Sequence, residues 1–218
     1  MDSLPEGLDQ RFLKFIGVTD ESERQSHTFY LDFFQPQQQV LDLGCGAGYF
    51  VKMLREKGVE AQGVDFDPLA LAEAQKQNIP VIQANALDYL TELPENSLDC
   101  IFSAHLVEHL PVEIVFELTK RAYRVLKPGA SLLLVTRNVR ELVANLELFW
   151  LHFDHKRFYH PSLLEFFMKE CGFDKAIQGE NLLDVTPTKM QINVGSAELF
   201  KWGEVIPPPR LPLLYPWW

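Results

Sequence analysis

The sequence predicts a doubly wound α/β fold, a mostly parallel sheet with helices on both faces. Three observations carry that prediction. Short apolar, β-rich runs alternate with helical runs from Val40 to Val135. The first run ends in glycines spaced two apart, in "VLDLGCGAGYF" from Val40 to Phe50. Helix punctuation falls where the alternation needs it, with Gly58 closing one helix and Pro68 and Pro111 at first-turn positions.

Taken in order, the strands read "QVLDLG", "EAQGVDF", "PVIQAN", "SLDCIFSAH" and "ASLLLVTRN". Between them lie the helical stretches "YFVKMLREKG", "PLALAEAQKQN", "ALDYLTEL" and "PVEIVFELTKRAYRVLK". Each β-then-α step implies a right-handed crossover. Before this core, Leu8 to Phe34 reads as a polar-interrupted helical stretch closed by Pro36. After it come a helix-like segment from Glu141 to Trp150, the link "HFDHKRFYH", a helix "PSLLEFFMKECG" and a late strand in "QINVGSAELF". The expected division is a helical cover over residues 1–36, the α/β domain over 37–200 and a proline- and aromatic-rich tail over 201–218. That tail is expected to pack on its own domain or on a twin subunit in a homodimer.

Composition narrows the function. A net charge of -10 disfavours nonspecific binding to nucleic acid or to an anionic membrane. Cys45, Cys100 and Cys171 are far apart and form no CxxC pair, so neither zinc nor a disulfide framework is expected. The start "MDSLPEGLDQ" lacks the basic and apolar regions of a secretory signal. No apolar run reaches the length needed to cross a bilayer. The expectation is a cytoplasmic protein with no integral membrane segment and no metal.

Gly44, Gly46 and Gly48 read GxGxG, whereas the dinucleotide fingerprint is GxGxxG. After a parallel strand the chain must turn sharply into its helix, and Gly44 and Gly46 adopt positive φ cheaply. They also let a ligand approach the backbone closely, beside the free N–H groups of a helix start. Asp42 precedes the first glycine. "GVDFDP" sets Asp65 at the end of the next strand, where a carboxylate can accept hydrogen bonds from ribose hydroxyls.

Together, "VLDLGCGAGYF", "GVDFDP", "NALDYL", "FSAHLVEHL" and "RVLKPGASLLLV" resemble the class I S-adenosylmethionine-dependent methyltransferases. The resemblance runs in order from Val40 to about Val135, and it implies a Rossmann-like, seven-stranded, mostly parallel sheet. "HFDHKRFYHPSLLEFFMKECGF" further resembles methyltransferases of bacterial surface-polysaccharide and O-antigen synthesis, as do Val107–Pro111 and Tyr123–Gly129. By this resemblance S-adenosylmethionine is the cofactor. Asp42, Gly44, Cys45, Gly46 and Gly48 shape its methionine side, Asp65 holds the ribose and Phe66 lies beside the adenine. Asn85 stands where the family often has Asp at the adenine amino group, with Ala86 and Leu87 bordering the ring. His105 follows the fourth strand, at the floor of the active site. The implied reaction moves a methyl group to an oxygen, less readily a nitrogen, of a small-molecule or glycan-linked acceptor. In-line displacement from a sulfonium needs alignment above all.

Acceptor handling points to the histidines. In "HFDHKRFYH", His155 reads as a base and Arg157 as a clamp for an anionic group, while His152 and Lys156 read as solvated linker and His160 as the cap of the helix at Pro161. Glu108 and His109 read as pinning the loop before the next helix, Cys45 as small apolar packing, and Asp67 as the cap of the Pro68 helix. "DESERQSHTFYLDFF" is either a lid, with Arg24 or Tyr30 reaching cofactor or substrate, or an amphipathic cover on the sheet. A cofactor-binding module without turnover remains an alternative. So does an NAD-dependent oxidoreductase, against the glycine spacing. A nucleic-acid acceptor is disfavoured by the acidic balance and by "SAHL" standing where an NPPY-like tetrapeptide would be.

Overall fold

A computed structural model describes residues 7–140, 149–181 and 188–194. Five parallel strands form the predicted core of the sheet: β1 (Gln39–Leu43), β2 (Glu60–Asp65), β3 (Val81–Gln83), β4 (Leu98–Ala104) and β5 (Leu126–Arg137). β6 (Ala176–Asn181) and β7 (Thr188–Val194) join antiparallel beyond β5. The order across the sheet is β3-β2-β1-β4-β5-β7-β6. The chain thus winds outward from β1 to β3 and then returns to β4 on the other side of β1. Such a reversal opens a crevice at the carboxyl ends of β1 and β4.

Alternation along the strands sorts side chains into two layers. Leu41, Leu43, Ile101, Leu132 and Leu134 face one side, against Val115, Leu118, Ala122 and Val125 of α6 (Val112–Val125). Leu90 of α5 (Ala86–Glu92) and, after the one-turn α7 (Phe149–Leu151), Leu164, Phe167 and Met168 of α8 (Pro161–Glu170) complete that layer. Val40, Cys100, Phe102, Leu133 and Val135 face the other side, against Phe50, Val51 and Leu54 of α3 (Tyr49–Glu56) and Ala74 of α4 (Pro68–Lys76). Burying each large aliphatic or aromatic side chain contributes about 1.5–3 kcal/mol.

The expected punctuation holds at Pro68, which opens α4, whereas Pro111 stands one residue ahead of α6 as its N-cap rather than in its first turn. Asp67 Oδ1 accepts from Leu69 N–H at 2.8 Å ahead of α4, and His160 Nδ1 accepts from Ser162 N–H at 3.1 Å ahead of α8. At the other end of α5, the Arg124 guanidinium reaches the carbonyls of Leu90, Thr91 and Leu93, partnering groups that a helix end otherwise leaves open. β6 was not anticipated from "AIQGEN", which has neither a β-branched run nor clean alternation. β5 begins at Leu126 rather than Ala130, through an irregular register opposite Leu98 and Cys100. Residues 141–148 of the expected helix-like segment, the last residues of the expected late strand and the 201–218 tail lie outside the described residues.

The N-terminal stretch forms α1 (Leu8–Phe15), α2 (Asp20–Thr28) and a 3-10 turn (Phe29–Phe33). α2 starts with a reciprocal pair, Ser22 N–H donating to Thr19 Oγ1 and Thr19 N–H to Ser22 Oγ. Tyr30 and Phe34 then join Phe50 and Phe102 in one buried layer. Among the described residues, no helix is long and apolar enough to cross a membrane.

Phe102 sits at the centre of that aromatic layer, with its ring centroid 4.2 Å from Phe50, 5.7 Å from Tyr30 and 6.0 Å from Phe34. Phe102→Ala is expected to destabilise the fold by about 3–5 kcal/mol in urea unfolding, through the cavity left among those rings. A loss below about 1 kcal/mol would contradict this packing.

Candidate functional site

The turn after β1 is held by its backbone. Gly44 and Cys45 N–H both donate to the Val64 carbonyl, at 2.8 and 3.1 Å, and Gly46 N–H donates to Asp65 Oδ2 at 2.9 Å. Gly46 has φ 52°, and the position where its Cβ would stand has no heavy atom within 4 Å. Gly48, at φ 73°, is bare for the opposite reason, since a Cβ there would lie 3.1–3.3 Å from Ile79, Ala74 and Val81. One glycine leaves room for a ligand and the other for the core.

Cys45 turns onto the sheet, its sulfur fitting over Gly63, where a Cβ would come within 2.5 Å of it. Burial, followed by the fields of Asp42 and Asp65, pushes its thiol upward, so it is no nucleophile.

Two carboxylates face the cleft. Asp42 is 3% exposed at the end of β1, and burial, reinforced by Asp65, pushes its carboxyl up to about 8. Burial also raises Asp65, opposed by the N–H groups of Asp67 and Gly46 that it accepts. A cationic ligand entering this site would relieve both.

Glu108 anchors the far wall. It is fully buried, with Oε1 3.0 Å from His105 Nδ1 and Oε2 accepting from Thr136 Oγ1 at 2.8 Å. Burial alone would raise this carboxyl, but the hydrogen bond and charge of His105 prevail and bring it down to about 2. His105 is held at φ 54°, a conformation that costs a non-glycine residue about 1–3 kcal/mol. The Glu108 carbonyl accepts from the N–H of Lys156, at 2.8 Å, and of Arg157, which brings the histidine-rich link against the loop after β4.

One cavity of about 560 Å³ runs between these walls, a volume typical of small-molecule sites. Of the residues expected at the site, Asp42, Gly44, Cys45, Gly46, Asp65, His105 and His155 line it. His109, His152, Arg137 and His27 line it as well, although nothing in their spacing places them there together. Arg137 ends β5, next to the Thr136 that holds Glu108. Its place at a strand's carboxyl end was the one available signal.

Other expected residues fall elsewhere. Arg157 is exposed and lies over the Tyr159 ring, 5.0 Å from its centroid, so it clamps nothing in the cavity. Phe66 is 73% exposed beside Asp65. Asn85 Oδ1 caps α5 by accepting from Leu87 and Asp88 N–H, at 2.9 and 3.4 Å, so the expected adenine acceptor is already committed. Ala86 and Leu87 pack against the core below that cap. Tyr30 is buried and Arg24 stacks on Tyr49, at 4.9 Å, so neither lines the cleft. From α2 and its approach it is Thr19, Ser22, Gln25, Ser26 and His27 that do.

Comparison with known proteins agrees with this arrangement. Residues 41–134 match the family described as methyltransferase domain. The 2-methyl-6-phytyl-1,4-hydroquinone methyltransferase of Synechocystis sp. is 32% identical over 115 residues, 51% of this chain and 36% of the relative. The ubiquinone biosynthesis O-methyltransferase of Pseudomonas savastanoi pv. phaseolicola is 28% identical over 152 residues, 62% of this chain and 64% of the relative. The chain therefore matches between about one third and two thirds of the length of these relatives. A SAM dependent methyltransferase from Archaeoglobus fulgidus superposes with a TM-score of 0.76 at 24% identity, over 85% of this chain and 98% of that one, a likeness of fold. Residues 41–134 are thus similar to a methyltransferase domain, on a fold shared with a SAM dependent methyltransferase.

Proposed function

We propose that this chain transfers a methyl group from S-adenosylmethionine to an oxygen of a small-molecule or glycan-linked acceptor. The observation that carries the reading is the bare-backbone turn at Gly44–Gly48, set between two buried-side carboxylates in a cavity of suitable size. In this reading Asp42 and the glycine turn hold the methionine end, Asp65 accepts from the ribose hydroxyls, and Phe66 covers the adenine from outside. Asn85 offers the adenine edge its amide N–H, since its oxygen caps α5. The cofactor supplies an activated methyl group, and the protein's task is to align an acceptor oxygen with it. His105, oriented by Glu108, and His155 stand on the acceptor side. The helices before residue 36 cover the cleft, and the catalytic domain begins at residue 37. The surface-polysaccharide resemblance of the histidine link supports a glycan-linked acceptor within this class.

Binding is tested first. S-adenosylhomocysteine is expected to raise the melting temperature and NAD to leave it unchanged. Asp65→Asn should weaken S-adenosylhomocysteine binding about tenfold or more by calorimetry, as the charged acceptor to the ribose is lost. Turnover is then read with radiolabelled methyl donor on phenolic, quinol and saccharide acceptors. Absence of any shift with S-adenosylhomocysteine at millimolar concentration overturns the reading.

A second expectation concerns pH. In the ligand-free protein the Asp42 carboxyl is held near 8, so its neutral form dominates below that pH. With a folded value above the unfolded one, its contribution to stability is complete below about 4 and is lost as pH rises through about 8. A ligand carrying positive charge favours the ionised form, so its affinity should climb between pH 6 and 8 by up to about tenfold per unit and then level off. Calorimetry with S-adenosylhomocysteine at pH 6 and 8.5 reads this, and Asp42→Asn should flatten the profile. Equal affinities at the two pH values in the unaltered protein would refute it.

A further inference from the structure

Three imidazoles from two distant parts of the chain meet on the acceptor side of the cavity. His109 ends the one-turn 3-10 helix Val107–His109 after β4, whereas His152 and His155 follow the helical turn Phe149–Leu151. Their ring centroids are 4.6 Å apart for His152 and His155, 4.7 Å for His109 and His155, and 5.1 Å for His109 and His152. One ring nitrogen from each lies within 4.8 Å of those of the other two, and all three rings line the cavity.

The hydrogen bonds around the rings decide what those nitrogens offer. His155 Nδ1 is 2.7 Å from the Phe149 carbonyl oxygen, which can only accept, so that nitrogen carries the proton and Nε2 keeps its lone pair. His109 Nδ1 is 3.3 Å from Asp154 Oδ2, a carboxylate oxygen, with the same consequence. Pinning one ring nitrogen on a backbone carbonyl or a carboxylate, which leaves the other with its lone pair, is the arrangement that surrounds metal-bound histidine. Asp154 also donates its backbone N–H to His152 Nδ1 at 3.3 Å, so a single residue touches two of the three rings. Contacts from the Lys156 and Arg157 N–H groups to the Glu108 carbonyl hold the two segments in this register.

We propose that His109, His152 and His155 form a binding site for one divalent transition-metal ion of the zinc, cobalt or nickel type, with a coordination position open to the cavity. Three imidazoles are the ligand set such ions favour. Metal–nitrogen bonds of about 2.0–2.1 Å in a tetrahedral site need nitrogens about 3.4 Å apart, so rings now within 4.8 Å close by at most about 1.4 Å. His152 turns its ring to present the required nitrogen, giving up the long contact to Asp154 N–H. Burial pushes both His109 and His155 below the usual imidazole range. The ion would make a bound acceptor hydroxyl more acidic. That use rests on the methyl-transfer reading, whereas metal binding does not.

The test uses the full chain, free of any histidine tag and stripped with chelator. Titration with Zn²⁺ by calorimetry and with Co²⁺ by visible absorption should both saturate at one equivalent. His152→Ala and His155→Ala should each weaken binding at least tenfold. Asp154→Asn should weaken it about 10–100-fold, as loss of a carboxylate behind a metal-bound histidine does. The melting-temperature rise with S-adenosylhomocysteine, measured on each variant, reports that the fold and donor site persist. His152 is at the edge of the cluster and keeps the test decisive if His155→Ala fails to fold. Absence of saturable binding, or affinity unchanged in His152→Ala, overturns the metal site. Failure of S-adenosylhomocysteine to bind the unaltered protein overturns the methyl-transfer reading and leaves the metal result standing.

Discussion

The site depends on one buried carboxylate. Glu108 is fully sequestered, and burial of a bare charge costs several kcal/mol unless it is compensated. Its two oxygens are met by His105 and Thr136, and its backbone carbonyl by the N–H groups of the histidine link. Those contacts reach the loop after β4, the end of β5 and the segment after Phe149. A hydrogen-bonded carboxylate thus joins three pieces of chain that the sheet alone would leave independent. The positive φ of His105 fits this account, because a strained backbone persists where its surroundings over-determine it.

The donor side inverts this logic. Asp42 lies directly below the glycine turn, and its neighbour Asp65 adds repulsion to the cost of burial. The protein meets Asp65 with two backbone N–H groups and leaves Asp42 to be pushed up by burial, while both oxygens of Glu108 are met by side chains. A buried carboxyl without a resident counter-charge is poised for a cation brought from outside, and a sulfonium with its ammonium group is such a ligand. Cleft chemistry, more than glycine spacing alone, therefore separates this site from one made for a pyrophosphate, which two carboxylates would repel.

Much of the fold was legible because the local rules agree with the global one. Val40 and Leu41, or Cys100 and Ile101, fall in opposite layers, as two-residue periodicity demands, and Asp67 and His160 cap where the following prolines say they should. What escaped the sequence was pairing at a distance. His109 and His152 were discounted as architecture and linker because nothing in their spacing shows that Asp154 will sit between them. Arg157 lies exposed over the Tyr159 ring instead of in the cavity, a cation–π contact that no spacing in the link foretells. Asn85 was misjudged in a subtler way. Its residue type suits an adenine contact and a helix cap alike, and the free N–H groups at the start of α5 take its oxygen first.

The histidines also bear on which acceptors the cleft can serve. His155 is held down to about 4, first by burial and then against the pull of the Phe149 carbonyl, with His109 adding to the effect. An imidazole so weakly basic removes a proton poorly. Against a phenol with a value near 10, the transfer is uphill on the order of a million-fold, and an aliphatic hydroxyl is worse. Three rings gathered around one space, with burial lowering His109 and His155, make a poor base but a good set of ligands. Under the proposed methyl transfer, an acceptor oxygen facing those rings would have to arrive ionised or be acidified in place, and a cation held by them would acidify it without asking any of them to take the proton.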